Sequence, residues 1–415
     1  MSLKELLKRS QTISYFNSVL KGCRQERQAY RTLQQYRRQA EKLNLRELDK
    51  AELKAALADR LAQRGIKPTP QPRGQLHIFL AYALENWERV LAPALRCFGR
   101  VSEFEWLGLG FNHHGQDWLK LRDEMNRLML EAFEKAHSER PVDVVFGYLS
   151  GYTMAPDILA KMGRAGAVIF NFSLDDKLHF PGRLVGGRYS NTASLAEVVD
   201  LNLTNAPQSI IKYMVHGGLA FLWPEAAWPV VHRPYDLDFE FEVSFIGKCY
   251  GWRPCFIKRL AKMGIEVECF GQGWPNGTLC DEEMVKLYSR SRINLGFAGV
   301  AHSRRLMCLK GRDFEVPASG GLYLTQHNPE LSLVYDLGRE IVTYTDEWDC
   351  AEKIRQLLAE PNKAQRIRQA GYRRALAEHT WEHRFEEIFT LAGLLEEEPS
   401  VCTADARANA YSTLL

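Results

Sequence analysis

The chain has 415 residues, 46% apolar and 25% charged, with a net charge of +3. That is the composition of a folded soluble protein with room for two globular bodies, and the charge is too small to argue for a nucleic-acid partner. Nine cysteines are scattered without a C-x-x-C pair, which points away from a zinc ribbon or a thioredoxin-like site and toward reduced thiols.

No leading segment has the apolar core of a signal peptide, and no run approaches the ~18 apolar residues of a membrane span. A cytoplasmic protein is therefore expected, with room for contact at the periphery of the inner membrane. Residues 1–66 read as a helical extension, because Leu3, Leu6 and Leu7, and later Leu53, Leu57 and Leu61, fall at helical spacing. Residues 1–65 carry 15 basic against 7 acidic side chains. Packing on the main body or homodimerisation is expected of these helices, with an anionic membrane surface as the alternative. Pro68, Pro70 and Pro72 form a stiff linker.

From residue 73 a strand–helix rhythm begins. Strands are predicted at 76–80, 101–107, 142–147, 167–172, 198–203 and 219–223, with helices near 83–97, 116–137, 155–164 and 207–215. Short, continuously apolar strands alternating with helices are the pattern of a parallel sheet covered on both faces. This series defines a first α/β domain over 73–234. A second series over 240–380 has strands at 243–247, 267–271, 293–296, 322–325 and 341–344, and helices at 252–263, 281–290, 311–319, 347–359 and 362–377. A terminal helix over 381–395 is expected to pack back toward the first domain, and the polar tail 396–415 is expected to be disordered.

The segment Lys310-Gly-Arg-Asp-Phe-Glu315, closed by Gly320-Gly321, sets two cations and a carboxylate at the start of a short helix. Lys310 and Arg312 beside a helix start suit phosphate. Glu315 repels phosphate but suits a sugar diol, whose two hydroxyls can donate to one carboxylate. Phosphate plus diol is what a nucleotide sugar offers. The competing reading is a plain Arg312–Glu315 surface pair.

Further motifs carry a resemblance: Phe245-Ile-Gly247, Phe270-Gly-Gln-Gly-Trp274, Ser291-Arg-Ile-Asn-Leu-Gly296, the Lys310–Glu315 run, and His379-Thr-Trp-x-x-Arg384. Together they resemble the GT-B glycosyltransferases, in particular the branch related to CgeB-like spore-maturation proteins. The resemblance implies an α/β fold of two facing Rossmann-like domains, here with the N-terminal helical extension. It also implies a sugar nucleotide held mainly by the second domain, and no obligatory metal. In many retaining members a second glutamate lies eight positions before the diol-binding one; here that position is Met307.

The donor site is accordingly expected to comprise Gly247, Lys248 and Arg253 after one strand, Phe270, Gly271 and Gly273 after the next, and Lys310, Arg312, Glu315 and Gly320. Asp175 and Asp176, just after the strand ending near Phe172, are the candidate bases for an acceptor hydroxyl, with His113 and His114 as rivals. Asp236-Leu-Asp238 matches a metal-binding D-x-D pattern, but a connector is the wrong place for it. The Gly182–Gly187 run is a candidate acceptor loop. The activity expected is sugar transfer from a UDP- or GDP-linked donor to a glycan, lipid-linked or protein acceptor, in bacterial glycan or glycoconjugate synthesis. The alternatives are a sugar-nucleotide epimerase and a catalytically degenerate binding module.

Overall fold

The computed structural model describes residues 11–85, 87–174 and 176–396, with side chains from residue 16 onward. Asp175 and the tail from residue 397 lie outside the described residues. The chain divides into two compact units. Of the described residues, one holds 30–224 and 381–396; the other holds 225–380 and 11–29.

The first unit is built on six strands: β1 (Leu76–Tyr82), β2 (Gly99–Glu105), β3 (Val144–Gly147), β4 (Val168–Ser173), β7 (Leu201–Thr204) and β8 (Ala220–Leu222). They form one sheet in the order β2-β1-β3-β4-β7-β8, with every pairing parallel. All seven residues of β1 are buried, because helices cover both faces of a parallel sheet. β5 (Leu184–Val185) and β6 (Arg188–Tyr189) form a separate two-stranded hairpin. Its turn residues Gly186 and Gly187 both have positive φ, +58° and +81°, the requirement of a tight two-residue turn. The Gly182–Gly187 run is thus an ordered hairpin.

The helix Trp381–Leu391 belongs to this unit. Trp381 stacks on Trp87 with ring centroids 5.5 Å apart, and the indole of Trp223 donates to the Arg384 carbonyl at 2.8 Å. The predicted helix at 83–97 is a 3-10 turn over Trp87–Val90 followed by Leu91–Arg96; Pro93 lies early in that short helix, where its missing N–H costs little.

The second unit holds β9 (Phe241–Ile246), β10 (Glu268–Phe270), β11 (Ser291–Gly296), β12 (Tyr323–Gln326) and β13 (Val342–Tyr344). They form a parallel sheet in the order β10-β9-β11-β12-β13. Its core joins Phe245, Phe256, Leu260, Ile293, Leu295 and Ile354, among others.

The unit limits differ from the expected domain limits. Residues 225–234 group with the second sheet, and the N-terminal helices are not a body of their own. Within the second unit, Ser18 Oγ lies 2.9 Å from His302 Nδ1 and Ser303 Oγ donates to Glu26 at 2.6 Å. Within the first unit, Tyr36 meets the His216 ring nitrogen at 3.0 Å and packs on Phe180. Among the described residues no helix is long and apolar enough to cross a membrane.

Candidate functional site

In an open parallel sheet, ligands bind beyond the C-terminal strand ends, where the strand order reverses direction. The first sheet reverses between β1 and β3, the second between β9 and β11. Each reversal carries a cluster of polar residues.

In the second unit, Gly247 follows β9 and Gly271 follows β10. The two strand-end loops press backbone to backbone. Gly247 N–H donates to the Phe270 carbonyl at 2.9 Å, and Cys249 N–H to the Gln272 carbonyl at 2.9 Å. A Cβ on Gly271, whose φ is +118°, would collide with the Gly247 carbonyl oxygen; only glycine fits there. Trp274 lies partly buried on the core, and its indole donates to the Gly247 carbonyl at 2.9 Å. The Phe270–Trp274 run therefore braces the loop after β9, with Gln272 and Gly273 exposed at its rim.

Arg253 opens the helix Arg253–Lys262 and folds back over that loop. Its guanidinium lies 4.6 Å from the Tyr250 ring centroid and donates to the Lys248 carbonyl at 3.2 Å. Burial is the main influence lowering its pKa, and Arg312 nearby adds to the effect. The Lys248 side chain is exposed.

Lys310 to Gly320 lies around the helix Arg312–Ala318, which is seven residues long. No side chain caps the start of this helix; Asp313 Oδ2 reaches back to accept from Lys310 N–H at 2.7 Å, ahead of the helix. The Asp313 and Phe314 N–H groups are taken by the Lys310 and Gly311 carbonyls, each at 2.9 Å. Asp313 is 1% exposed, and burial pushes its carboxyl up to about 7. Gly320, with φ +69°, ends the helix against Pro234.

Arg312 and Glu315 do form an ion pair, at 3.7 Å, but not on a solvated surface. Glu315 is 8% exposed. Its Oε2, the Nε of Arg312 and the hydroxyl of Tyr288 are all buried without a hydrogen-bond partner. Desolvation works against the Arg312 charge, yet Tyr288, Glu315, Tyr323 and Glu225 around it more than restore it. A Cβ on Gly311 would lie 2.8 Å from Glu315 Oε1 and 3.1 Å from Glu225 Oε1, so a second buried carboxylate converges on the same turn. Glu225 and Tyr288 were not legible as part of this set, since they lie far in sequence from Arg312 and Glu315.

In the first unit, a cavity of about 470 Å³ opens beyond the ends of β1 to β4. Trp106, Tyr148, Tyr152 and Phe172 give it aromatic walls, and Glu85, His113, Ser150, Asp176 and Asn191 are among its polar ones. Asp176 is 2% exposed. Its Oδ1 accepts from Ser173 at 2.7 Å and Thr192 at 3.4 Å, and its Oδ2 from Tyr213 at 2.5 Å. Lys212 Nζ donates to the Asp176 carbonyl at 2.6 Å. Burial raises the Asp176 pKa, and the Tyr213, Ser173 and Thr204 hydroxyls and Lys212 oppose the rise. A carboxylate so fully engaged shapes the cavity floor, and its geometry does not favour the base role expected of it.

His113 and His114 sit with Glu85 at the cavity mouth. Glu85 Oε1 lies 3.1 Å from His113 Nε2 and 2.6 Å from His114 Nε2. These three are the one His/Cys/Asp/Glu grouping of metal-ligand spacing among the described residues. Asp236 and Asp238 are exposed on the connector.

Residues 253–390 match the family model described as "Glycosyl transferase-like". No curated protein sequence matches the chain. Among solved structures, sucrose-phosphate synthase from Thermosynechococcus elongatus is 13% identical over 76% of this chain and 98% of its own, with a TM-score of 0.53. Anabaena Alr3699/HepE, in complex with UDP and glucose, is 11% identical over 76% and 99%, at 0.51. An alpha-glucosyltransferase in complex with UDP and DNA is 12% identical over 77% and 100%, also at 0.51. These likenesses establish the fold, an α/β architecture with two parallel sheets of the GT-B type.

Proposed function

We propose that this protein is a glycosyltransferase that moves a sugar from a nucleoside-diphosphate donor to a hydroxyl acceptor. The observation that carries the reading is the set of buried, unpartnered polar atoms at Arg312, Glu315 and Tyr288. A buried polar group left unpaired costs roughly 1–3 kcal/mol, so such a set is retained where a ligand completes it. Cations flank it, and the chain beside it follows the strand-order reversal of the second sheet.

In this reading Glu315 accepts from the ribose diol, and the backbone around Gly247 and Gly271 takes the base. Arg253, Arg312 and Lys310 oppose the charge that develops on the departing diphosphate. Fixed cations supply that stabilisation without a metal. UDP is the first nucleotide to test, because UDP occupies the HepE and alpha-glucosyltransferase structures that share the fold. A glycan acceptor and a place in glycoconjugate synthesis are part of the same proposal.

The test is thermal shift of the full chain across UDP, GDP, ADP and CDP. One nucleoside diphosphate is expected to stabilise the protein by mass action, and Glu315→Gln is expected to shrink that shift. Absence of a shift with every nucleotide would remove the donor assignment.

A further inference from the structure

The cavity of the first unit holds a carboxylate that no sequence motif signals. Glu85 lies three residues beyond β1, and His113 and His114 lie in the loop beyond β2. Glu105 ties these loops together. Its Oε1 accepts from the N–H groups of Leu84 and Leu107, each at 2.9 Å, and its Oε2 from Gly108 at 2.6 Å. Both oxygens of Glu105 are thus committed to the scaffold, while Glu85 projects at the mouth.

The proton positions around Glu85 follow from one contact. The indole Nε1 of Trp106 points at His113 Nδ1 from 3.1 Å. An indole nitrogen can only donate, so Nδ1 of His113 must be the acceptor and its proton must sit on Nε2. That nitrogen faces Glu85 Oε1 at 3.1 Å and donates to it. Neutral His113 therefore has no lone pair left with which to take a substrate proton, and none to offer a metal ion. Burial further disfavours the imidazolium, with His114 adding to the effect and Glu85 opposing it. Glu85 Oε1 receives His113 and His114 together, and among the described residues its Oε2 meets no donor.

We infer that Glu85 is the catalytic base of this pocket, taking the proton of an acceptor sugar hydroxyl held there, with His113 and Trp106 as positioning residues. The inference rests on the transferase reading above. Aromatic walls beside carboxylates, hydroxyls and amides suit a saccharide, which presents apolar ring faces and a rim of hydroxyls. In the step, the acceptor oxygen bonds to the donor's anomeric carbon as that carbon's bond to the diphosphate oxygen breaks. The bonding pair leaves with the nucleoside diphosphate, and the hydroxyl proton passes to Glu85. A single displacement of this kind inverts the anomeric centre.

The experiment uses the full chain, UDP-glucose and GDP-mannose as donors, and a panel of p-nitrophenyl glycosides as acceptors. Glu85→Gln is expected to keep the nucleotide-induced thermal shift while transfer falls at least about 100-fold. Trp106→Phe keeps the ring and removes the N–H. It is expected to lower kcat several-fold, leave KM unchanged and move the acid limb of the kcat pH profile, a change that loss of packing alone would not produce.

Transfer by Glu85→Gln within about threefold of wild type would overturn the assignment, as would retention of anomeric configuration in the product. Nucleotide binding without transfer to any glycoside of the panel counts against the pocket. Tight Co²⁺ binding with a tetrahedral absorption band lost in His113→Gln would make the cluster a metal site instead. If no nucleotide binds, the donor reading itself falls and the base assignment falls with it.

Discussion

Asp176 and Glu315 are both buried carboxylates beyond the end of a parallel strand or beside one, yet their surroundings are opposite. Asp176 receives three hydroxyl donors, from Ser173, Thr192 and Tyr213. Glu315 faces Arg312 at 3.7 Å and leaves Oε2 without a hydrogen bond. A satisfied buried carboxylate holds its neighbours in place. An unsatisfied one is a standing cost that the fold tolerates where something else binds. Burial alone does not distinguish structure from function; the hydrogen-bond complement does.

The comparison breaks first, and hardest, at Asp176. Asp176→Ala strips the acceptor from Tyr213 and Ser173 in a closed site and leaves their hydroxyls unpaired. A loss of roughly 3 kcal/mol is expected, read as a fall of several degrees in melting temperature with the nucleotide-induced shift preserved. A variant as stable as wild type, but without turnover, would return Asp176 to the role of base.

Asp313, beside Glu315, sharpens the contrast through pH. Burial holds its carboxyl up at about 7, above the ordinary 3.8. The folded state therefore binds a proton that the unfolded chain releases, and stability falls as pH rises from about 4 to about 7, then levels off. Asp313→Asn keeps an oxygen for the Lys310 amide and cannot ionise. Its stability relative to wild type is expected to rise across that window by about 4 kcal/mol, at ~1.4 kcal/mol for each of the roughly three pH units between 3.8 and about 7. Parallel melting curves for the two proteins from pH 4 to pH 8 would show that the carboxyl is not perturbed.

Glu315→Gln keeps shape and removes charge. Its melting temperature is expected to fall by a few degrees, because Arg312 loses the charge of its partner at 3.7 Å. Affinity for the nucleoside diphosphate is expected to fall about tenfold, the equivalent of one strong polar contact. Isothermal titration with UDP checks this, and an unchanged affinity would place Glu315 with Asp176 as a structural group.

Much of the fold was legible because parallel strands write themselves as unbroken apolar runs: Leu76–Tyr82 and Val168–Ser173 are buried throughout. Gly247 and Gly271 stood out as glycines at two strand ends, expected there to admit a ligand; that their loops press on each other was not legible. What was not legible is what tertiary contact creates. Tyr213 lies 37 residues from the Asp176 it binds, and Trp106 fixes a histidine tautomer through a contact that spacing does not suggest. Glu85 was missed because three residues past a strand is an unremarked place for a glutamate, until sheet order shows that the strand borders the reversal. Nor was it legible that Asp313, within the Lys310–Glu315 run, is buried and accepts from the Lys310 amide.

The smallest expected effect separates two explanations of the orphan set. The Tyr288 hydroxyl is buried without a partner, so Tyr288→Phe removes a desolvated dipole and no bond. In the free protein it is expected to stabilise by about 0.5–1 kcal/mol, the reverse of the usual sign for a core substitution. If the hydroxyl serves a ligand, the gain comes with a smaller nucleotide-induced shift, because the bound state alone loses a contact. If the shift keeps its size, Tyr288 only walls the site, and the unpaired atoms that matter are those of Arg312 and Glu315. A destabilised variant would mean that the hydroxyl already has a partner in solution, and the contrast with Asp176 would then rest on Glu315 alone.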